Sequence, residues 1–326
     1  RRVLFRSLLI DGYNIYYQHF AKNAAKDKNG EPIGGFVGSI NTIQQLAEKL
    51  KATKVIVVFD GVNAGFRRRN IFPGYKDKRG RKSRQLSLQL SDEQIVHLNN
   101  EDKQMYDLVE TLQQLPVVLM TVPYYEADDV IAYLVKKYEN DTTIIVSTDK
   151  DYLQLTENKN CYVYSPQKKI LFDSKMVSEV YGLPIENFLY LRTVVGDSSD
   201  QLKGVKGLKQ ESLYHILPQI TKEPIPSLEA FIHMIEELED SKSKKQKQLK
   251  ESKETVLLMY KLMKLTPDYI SLTGSTIIDG LLKEQENKTF NKFRFLQFSN
   301  KNSLCNYMKP TYDIWARVFF FLNKQN

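Results

Sequence analysis

Carboxylate side chains concentrate in a few short stretches of this 326-residue sequence. The densest stretch is Glu126-Ala127-Asp128-Asp129, where three carboxylates lie immediately before an apolar helical pattern. Acidic residues in the first turn of a helix are favoured by the helix dipole. Considered alone, this stretch is therefore open to two interpretations: a charged helix start and a cation site.

Further acidic residues follow apolar runs that are typical of buried parallel strands. Asp11, Asp60 and the pair Asp149 and Asp151 each come at or just after the end of a short run rich in Val, Ile and Leu. Ligands of open parallel sheets bind beyond the carboxyl ends of the strands. We therefore expect these acids to meet at one edge of a sheet, where the helix starting near Glu126 can join them.

Metal ions are the expected partners of so many carboxylates, because like charges in one pocket raise each other's pKa. Oxygen ligands without Cys or His favour Mg²⁺ or Mn²⁺. Two such ions about 4 Å apart are typical of sites for phosphodiester hydrolysis. The predicted metal ligands are Asp11, Asp60, Glu126, Asp128, Asp129, Asp149, Asp151, Asp197 and Asp200.

These motifs resemble those of the 5′-nuclease superfamily, which includes flap endonucleases and the 5′ exonuclease domain of bacterial DNA polymerase I. Within it the chain resembles most the T4-type phage ribonuclease H, over roughly residues 8–213. The resemblance implies a PIN-like α/β fold with a doubly wound, mainly parallel sheet and a helical arch. Alternating strand and helix patterns also favour a doubly wound sheet.

The resemblance also implies a domain organisation. Residues 8–184 would form the catalytic domain, with the arch at about 65–115, and residues 185–326 a mostly helical DNA-binding domain. Residues 196–215 resemble a helix–three-turn–helix element. Residues 2–7 match a translated sequencing adapter, so we exclude residues 1–7 from the predicted fold as non-native; a truncated signal peptide is the alternative.

Local patterns predict several boundaries that can be compared with the structure. Helices are expected at 39–51, 85–114 and 185–195, after a glycine-bearing loop at 29–38. Residues 161–164 and 168–172 are expected to form a terminal hairpin.

The predicted arch is strongly basic. Nine of the 18 residues at 67–84 are Lys or Arg, and aromatic residues lie among them. This mixture suits single-stranded nucleic acid, although a solvated loop would have a similar composition. The resemblance implies that Lys76 and Arg79 contact the scissile phosphate and act in catalysis. It implies DNA contacts for Arg67, Arg68, Arg69, Tyr75, Lys76 and Arg79.

A second candidate contact with nucleic acid is a glycine-containing turn. Glycines there would let backbone N–H groups approach a phosphate, although a plain turn also explains them. The sequence departs from the family by lacking a second glycine pair near Lys209 and a basic residue near Glu211. The resemblance implies duplex binding, with K⁺ bound at this element. The residues concerned are Lys203, Gly204, Val205, Lys206 and Gly207.

Composition favours a polyanionic partner. The net charge is +8, and if nine acids line a metal pocket, the 30 that remain face 47 bases, a balance of +17. Such a surface attracts nucleic acid. No apolar run approaches the length of a membrane span, and two cysteines give no disulfide framework, so a cytoplasmic location is expected.

We therefore predict a monomeric, two-metal 5′-3′ exonuclease and flap endonuclease with ribonuclease H activity. The resemblance implies action at 5′ ends and flaps of DNA and RNA–DNA hybrids, removing primers in phage replication. A single-stranded-DNA-binding protein or a sliding clamp would be its protein partner. Two alternatives stay open: an inactive DNA-structure-binding protein, and a detached nuclease domain of DNA polymerase I. The full acidic set argues against the first, and the absence of room for a polymerase against the second.

Overall fold

The computed structural model of the chain describes residues 6–27, 29–76, 98–239, 243–286 and 291–301. The predicted catalytic residue Arg79 and residues 77–97 of the predicted arch lie outside these ranges. Among the described helices, none is both long enough and apolar enough to cross a membrane.

A six-stranded sheet is the centre of the fold. The strands of the chain are β1 (Arg6–Asp11), β2 (Lys54–Asp60), β3 (Val118–Val122), β4 (Thr142–Val146), β5 (Cys161–Ser165), β6 (Ile170–Phe172), β7 (Gly196–Asp197) and β8 (Leu202–Lys203). The sheet order is β3-β2-β1-β4-β5-β6, and β7 and β8 form a separate antiparallel pair. The first five strands are parallel, and β6 pairs antiparallel with β5. The predicted mainly parallel sheet and its terminal hairpin are both confirmed.

Helices cover both faces of the sheet. The α-helices within the described residues are α1 (Gly12–Lys22), α2 (Gly34–Lys49), α3 (Phe66–Ile71), α4 (Asn100–Gln113), α5 (Ala127–Lys137), α6 (Ser174–Tyr181), α7 (Phe188–Val195), α8 (Gln210–Ile216), α9 (Leu228–Glu236), α10 (Lys244–Glu251), α11 (Lys253–Met263), α12 (Leu272–Glu286) and α13 (Lys292–Lys301). Because strand side chains alternate, Leu8 and Ile10 pack with α1, α2 and α4, whereas Leu9 packs with α5, α6 and α7. Both sides of strands β1, β2 and β4 are therefore buried, which explains their continuous apolar runs.

Some boundaries differ from those expected. Strand β1 begins at Arg6, so two residues of the excluded segment lie in the sheet. Helix α2 begins at Gly34 rather than at residue 39. A Cβ atom at position 34 would lie 2.0 Å from the Asn23 carbonyl oxygen, so only glycine fits there. The described part of the predicted 85–114 helix begins at Asn100. The preceding residue, Asn99, caps this helix, because its side-chain oxygen accepts a hydrogen bond from Asp102 N–H.

The last turn of α11 packs close to the carboxyl edge of the sheet. Leu262 and Met263 form a small apolar cluster with Leu202 of β8 and with Tyr75, which follows α3. This cluster joins the C-terminal helices to the first part of the predicted arch, which includes Tyr75.

Candidate metal centre

Helix capping fixes the carboxylates at the strand ends. Asp11 Oδ1 accepts a hydrogen bond of 3.0 Å from Asn14 N–H at the start of α1. Asp60 Oδ1 accepts one of 2.8 Å from Ala127 N–H at the start of α5. Each cap uses one carboxylate oxygen of its acid, so the capping interpretation and the cation-site interpretation are compatible.

The acids that follow β4 are arranged in the same way. Asp149 Oδ1 accepts a 2.8 Å bond from Asp151 N–H, where the 3₁₀ segment Lys150–Glu157 begins. Asp149 N–H in turn donates to Ser147 Oγ at 3.1 Å. Strands β1, β2 and β4 are neighbours in the sheet, so these local caps bring acids from distant parts of the sequence to one edge.

Two carboxylate clusters lie at this edge. The Glu126 cluster consists of Glu126, Asp128 and Asp129, and the Asp149 cluster consists of Asp149, Asp151 and Asp197. In each cluster, one oxygen from every residue lies within 4.8 Å of the others. Both offer carboxylate oxygens alone, so the donor sets fit a hard divalent cation such as Mg²⁺ or Mn²⁺.

The two clusters contain six of the nine predicted metal ligands. The other three, Asp11 and Asp60 at strand ends and Asp200 close to the Asp149 cluster, lie at the same edge. The roles of all these acids as metal ligands stay predictions.

Burial and mutual repulsion raise the pKa values of Asp11, Asp60 and Asp149. Burial raises the pKa of Asp60 to about 7, with a further contribution from the Glu126 charge. Burial likewise raises the pKa of Asp11 to about 6, against hydrogen bonds from Asn14, Tyr152 and Ser147. Burial, and then the charge of Asp151, holds the pKa of Asp149 well above its usual range. An added cation would relieve this repulsion.

Arg68 lies inside the Glu126 cluster. Its guanidinium bonds Glu126, approaches Asp128 Oδ2 at 3.0 Å and Asp129 Oδ1 at 3.1 Å, and donates through Nε to the Leu262 carbonyl at 2.9 Å. The Arg68 side chain is only 2% exposed and faces the acids in this conformation, so its contact with DNA stays a prediction. Buried carboxylates require a counter-charge, and Arg68 supplies it.

Arg192 has the same role in the Asp149 cluster. Its Nε and Nη2 donate to Asp151 Oδ1 at 3.0 and 2.8 Å, and Nη2 also bonds Asp197. Although burial opposes it, bonds from Ser199 and the charge of Arg192 lower the pKa of Asp197. Sequence reasoning missed Arg192. The available signal was a single cation within the otherwise apolar helix α7.

Lys76 connects the two clusters. Its Nζ donates to Glu126 Oε1 at 2.7 Å and lies 3.8 Å from Asp200 Oδ2. The charge of Asp200 also raises the pKa of Asp149 and Asp151, which places it beside the second cluster. Burial opposes ionisation of Glu126, but Lys76 and then Arg68 outweigh it and lower the pKa of Glu126.

Other predicted DNA contacts are placed in different ways. Tyr75 is buried and its hydroxyl donates to Glu126 Oε1 at 3.2 Å, so the expected surface contact is absent in this conformation. The guanidinium of Arg67 lies 3.8 Å from the centroid of the Tyr269 ring and also donates to the Lys261 carbonyl. Arg69 is exposed and bonds the Ala64 carbonyl at 2.6 Å.

The candidate duplex-binding turn lies between α7 and α8. Lys203 and Lys206 are exposed, as is Gly207, whose φ is +75°. Val205 is buried, and its N–H donates to the Val194 carbonyl at 2.7 Å. That amide is therefore already satisfied, which corrects its expected role toward a phosphate. A Cβ at Gly204 would lie 2.2 Å from the same carbonyl oxygen, so this glycine is required by packing.

Known proteins match both the sequence and the fold. A 5′-3′ exonuclease of Buchnera aphidicola from Acyrthosiphon pisum is 29% identical over 203 residues, covering 61% of this chain and 65% of that protein. The thermostable DNA polymerase I of Thermus aquaticus is 31% identical over 237 residues, covering 72% of this chain and 26% of the polymerase. The chain thus spans about two thirds of the first relative and about a quarter of the second.

Structural comparison agrees with these matches. The bacteriophage T5 flap endonuclease, solved as a pseudo-enzyme–product complex with DNA and metal ions, aligns with a TM-score of 0.66 at 22% identity. The alignment covers 86% of this chain and 97% of the T5 protein, and it shows a common fold. The predicted 5′-nuclease superfamily is confirmed, whereas the T4-type branch stays a prediction. Because residues 6–182, more than half of the sequence, match the model of the 5′-3′ exonuclease N-terminal, resolvase-like domain, the chain belongs to that family.

Proposed function

We propose that the chain is a metal-dependent 5′-3′ exonuclease and flap endonuclease. The observation that carries this proposal is the meeting of two all-carboxylate clusters, with Lys76 between them, at the carboxyl edge of a parallel sheet. Ligand sites of open α/β sheets lie at this edge. Membership of the exonuclease family and the metal and DNA content of the T5 complex support the same conclusion.

The two clusters supply the ligands for two divalent cations. Such ions, when bound, provide a hydroxide nucleophile and stabilise charge on the attacking and leaving oxygens. Arg68 and Arg192 pair with the carboxylates and neutralise part of their charge before any cation binds. We propose Mg²⁺ as the natural cation, with Mn²⁺ as a substitute.

Lys76 is the residue best placed to act on a phosphate. Its backbone has φ +53°, a left-handed conformation that residues other than glycine rarely adopt and that often marks functional sites. Burial opposes its charge, but Glu126 outweighs burial and holds the pKa of Lys76 well above its usual range. A permanent ammonium next to both clusters would orient the scissile phosphate and offset its growing charge.

The substrates we propose are 5′ ends and 5′ flaps of duplex DNA and of RNA–DNA hybrids, which includes a ribonuclease H activity suited to primer removal in phage replication. A single-stranded-DNA-binding protein or a sliding clamp would be the protein partner of a monomeric enzyme acting in the host cytoplasm. We further propose that the turn between α7 and α8 binds the duplex backbone with K⁺, through Lys203 and Lys206.

One observation favours a second candidate function. Arg68 and Arg192 already pair with carboxylates of both clusters, so the protein could bind nucleic acid without cations or catalysis. Metal dependence separates the two candidates. A catalytic centre requires the acids to bind ions, whereas a binding protein would be indifferent to them.

Cleavage assays on the purified full chain test the proposal. Labelled 5′-flap, nicked, blunt-duplex and RNA–DNA hybrid substrates would be incubated with Mg²⁺, with Mn²⁺ and with chelator. We expect cleavage from the 5′ side that needs the metal, and loss of cleavage with retained DNA binding in Asp149→Asn. Glu179→Gln, at an exposed acid that pairs only loosely with Lys175, is the matched control. Full cleavage in chelator, or no cleavage of any substrate, would reject the proposed function.

A further inference from the structure

Two large aromatic side chains lie exposed beside the metal centre. Phe66 is 52% exposed and Tyr124 is 55% exposed. Their ring centroids are 6.0 Å apart with an interplanar angle of 71°, an edge-to-face pair. Neither residue has a role in the centre described above, and contiguous exposed apolar surface often marks an interaction site.

The backbone presents this pair at a conformational cost. Tyr124 has φ +72°, a conformation that suits glycine and is unfavourable for a large side chain. Its N–H donates to the Val62 carbonyl at 2.7 Å, which holds the two loops together. Glycine adopts this conformation without strain. The backbone therefore gives no reason for a tyrosine at position 124, and we look to its exposed ring for one.

The pair lies next to the Glu126 cluster along both chain segments. Tyr124 precedes Glu126 by two residues, so their Cα atoms are at most about 7 Å apart. On the other segment, Phe66 follows Gly65, where a Cβ would lie 3.4 Å from the Glu126 carboxyl carbon. A molecule on the rings would therefore be adjacent to the acids.

The exposed area of the two rings and the nearby positive charge indicate which class of ligand fits this surface. A fully covered aromatic side chain buries about 150–250 Å², so two half-exposed rings offer at most about 250 Å². A stable protein interface buries about 800 Å² on each partner, which is far more. Stacked bases match the smaller area, and the exposed guanidinium of Arg69, three residues after Phe66 on α3, offers a cation for the phosphate.

We propose that Phe66 and Tyr124 form a stacking site for an unpaired nucleobase of the strand that enters the metal centre. The proposal rests on the proposed function insofar as the substrate is nucleic acid, and it assigns these two residues to substrate binding rather than to cleavage. Arg69 contacts the phosphate that accompanies the stacked base.

Fluorescence of 2-aminopurine tests the stacking directly, because stacking on a ring quenches it. The probe would replace, one position at a time, the unpaired bases next to the junction of a 5′-flap substrate, with Ca²⁺ replacing Mg²⁺. The full chain would be compared with Phe66→Ala, with Tyr124→Gly, and with Tyr124→Phe, which keeps the ring. We expect quenching at one position by the unchanged protein and by Tyr124→Phe, and its loss in the other two variants.

Affinity and stability measurements separate binding from folding. Removing either ring should weaken flap binding by about 5- to 100-fold and leave binding to a blunt duplex unchanged. Tyr124→Gly should melt no lower than the unchanged protein, since glycine suits φ +72°. Equal quenching and affinity in all four proteins would overturn the stacking site and point to a protein-docking face instead. Metal-dependent cleavage that persists in that case would leave the proposed function intact, whereas absence of any cleavage would reject that function separately.

Discussion

Replacing Arg68 with Met should destabilise the protein strongly, and most strongly without metal. Arg68 is among the largest fully buried side chains and contacts three carboxylates. Removing one partner of a buried ion pair typically costs about 3–5 kcal/mol. The Coulomb energy of one pair at 4 Å and an effective dielectric constant of 20, about 4 kcal/mol, is of the same size.

A divalent cation should restore part of this loss. With Arg68 removed, the Glu126 cluster carries more negative charge and binds a cation more tightly. At a free concentration 100 times the dissociation constant, the cation stabilises the folded state by about 2.7 kcal/mol. The unchanged protein also binds the cation, so only the difference in affinity between the two proteins counts. If Arg68→Met binds Mn²⁺ about 100-fold more tightly, its deficit in unfolding free energy should shrink by about 2.7 kcal/mol, to about 0.3–2.3 kcal/mol, in saturating Mn²⁺.

Urea unfolding followed by circular dichroism measures both quantities, in chelator and in excess Mn²⁺. Arg69→Met is the matched control, because Arg69 is the exposed neighbour on the same helix. Arg69→Met should change the free energy of unfolding by no more than about 0.5 kcal/mol in either buffer. If Arg68→Met loses the same unfolding free energy with and without Mn²⁺, Arg68 stabilises the fold by packing and not by neutralising the carboxylates. If it loses no stability in chelator, the counter-charge reasoning is wrong.

Three further predictions concern single residues of the site. Lys76→Ala should lower the single-turnover cleavage rate at saturating DNA by about 10²-fold. Low salt should not rescue it, and a near-normal rate would reduce Lys76 to an electrostatic guide. Gly207→Val should strain φ +75° and weaken duplex binding while sparing a single-stranded 5′ tail, so equal losses in affinity for both would contradict a duplex-specific turn. The pKa of Asp60 is raised to about 7 in the folded protein, so the folded state holds this proton more tightly than the unfolded chain. In chelator, the contribution of Asp60 to the free energy of unfolding therefore falls as pH rises from about 4 to 7. Asp60→Asn should gain up to about 4 kcal/mol relative to the unchanged protein across that range, measured as denaturant midpoints, and a constant difference would show that the shift is absent.

Much of the carboxylate edge could be predicted from sequence because its positioning is local. Asp11 and Asp60 end strands whose apolar runs identify them as buried and parallel, and parallel strands share one carboxyl edge. Glu126 precedes a helix with a clear apolar period. Each acid is thus fixed by its own segment together with one general rule of sheet topology.

The counter-charges could not be predicted in the same way. Arg68 and Arg69 are adjacent in a basic stretch, and composition gives no reason to bury one and expose the other. The choice depends on the phase of helix α3, which turns Arg68 toward Glu126 and toward the end of α11, almost 200 residues away in sequence. The satisfied amide of Val205 similarly depends on a contact with α7 that no local pattern encodes.

The last turn of α11 couples the C-terminal helices to the metal centre. Its carbonyls have no partners within the helix and form the negative end of the helix dipole. Arg67 donates to Lys261, Arg68 to Leu262, and Gln154 to Met263, at distances of 2.9 to 3.0 Å. Both arginines also contact Asp129. Displacing the C-terminal helices would therefore release the arginines from fixed positions, so the order of the Glu126 cluster depends on helices that contribute no carboxylate to it.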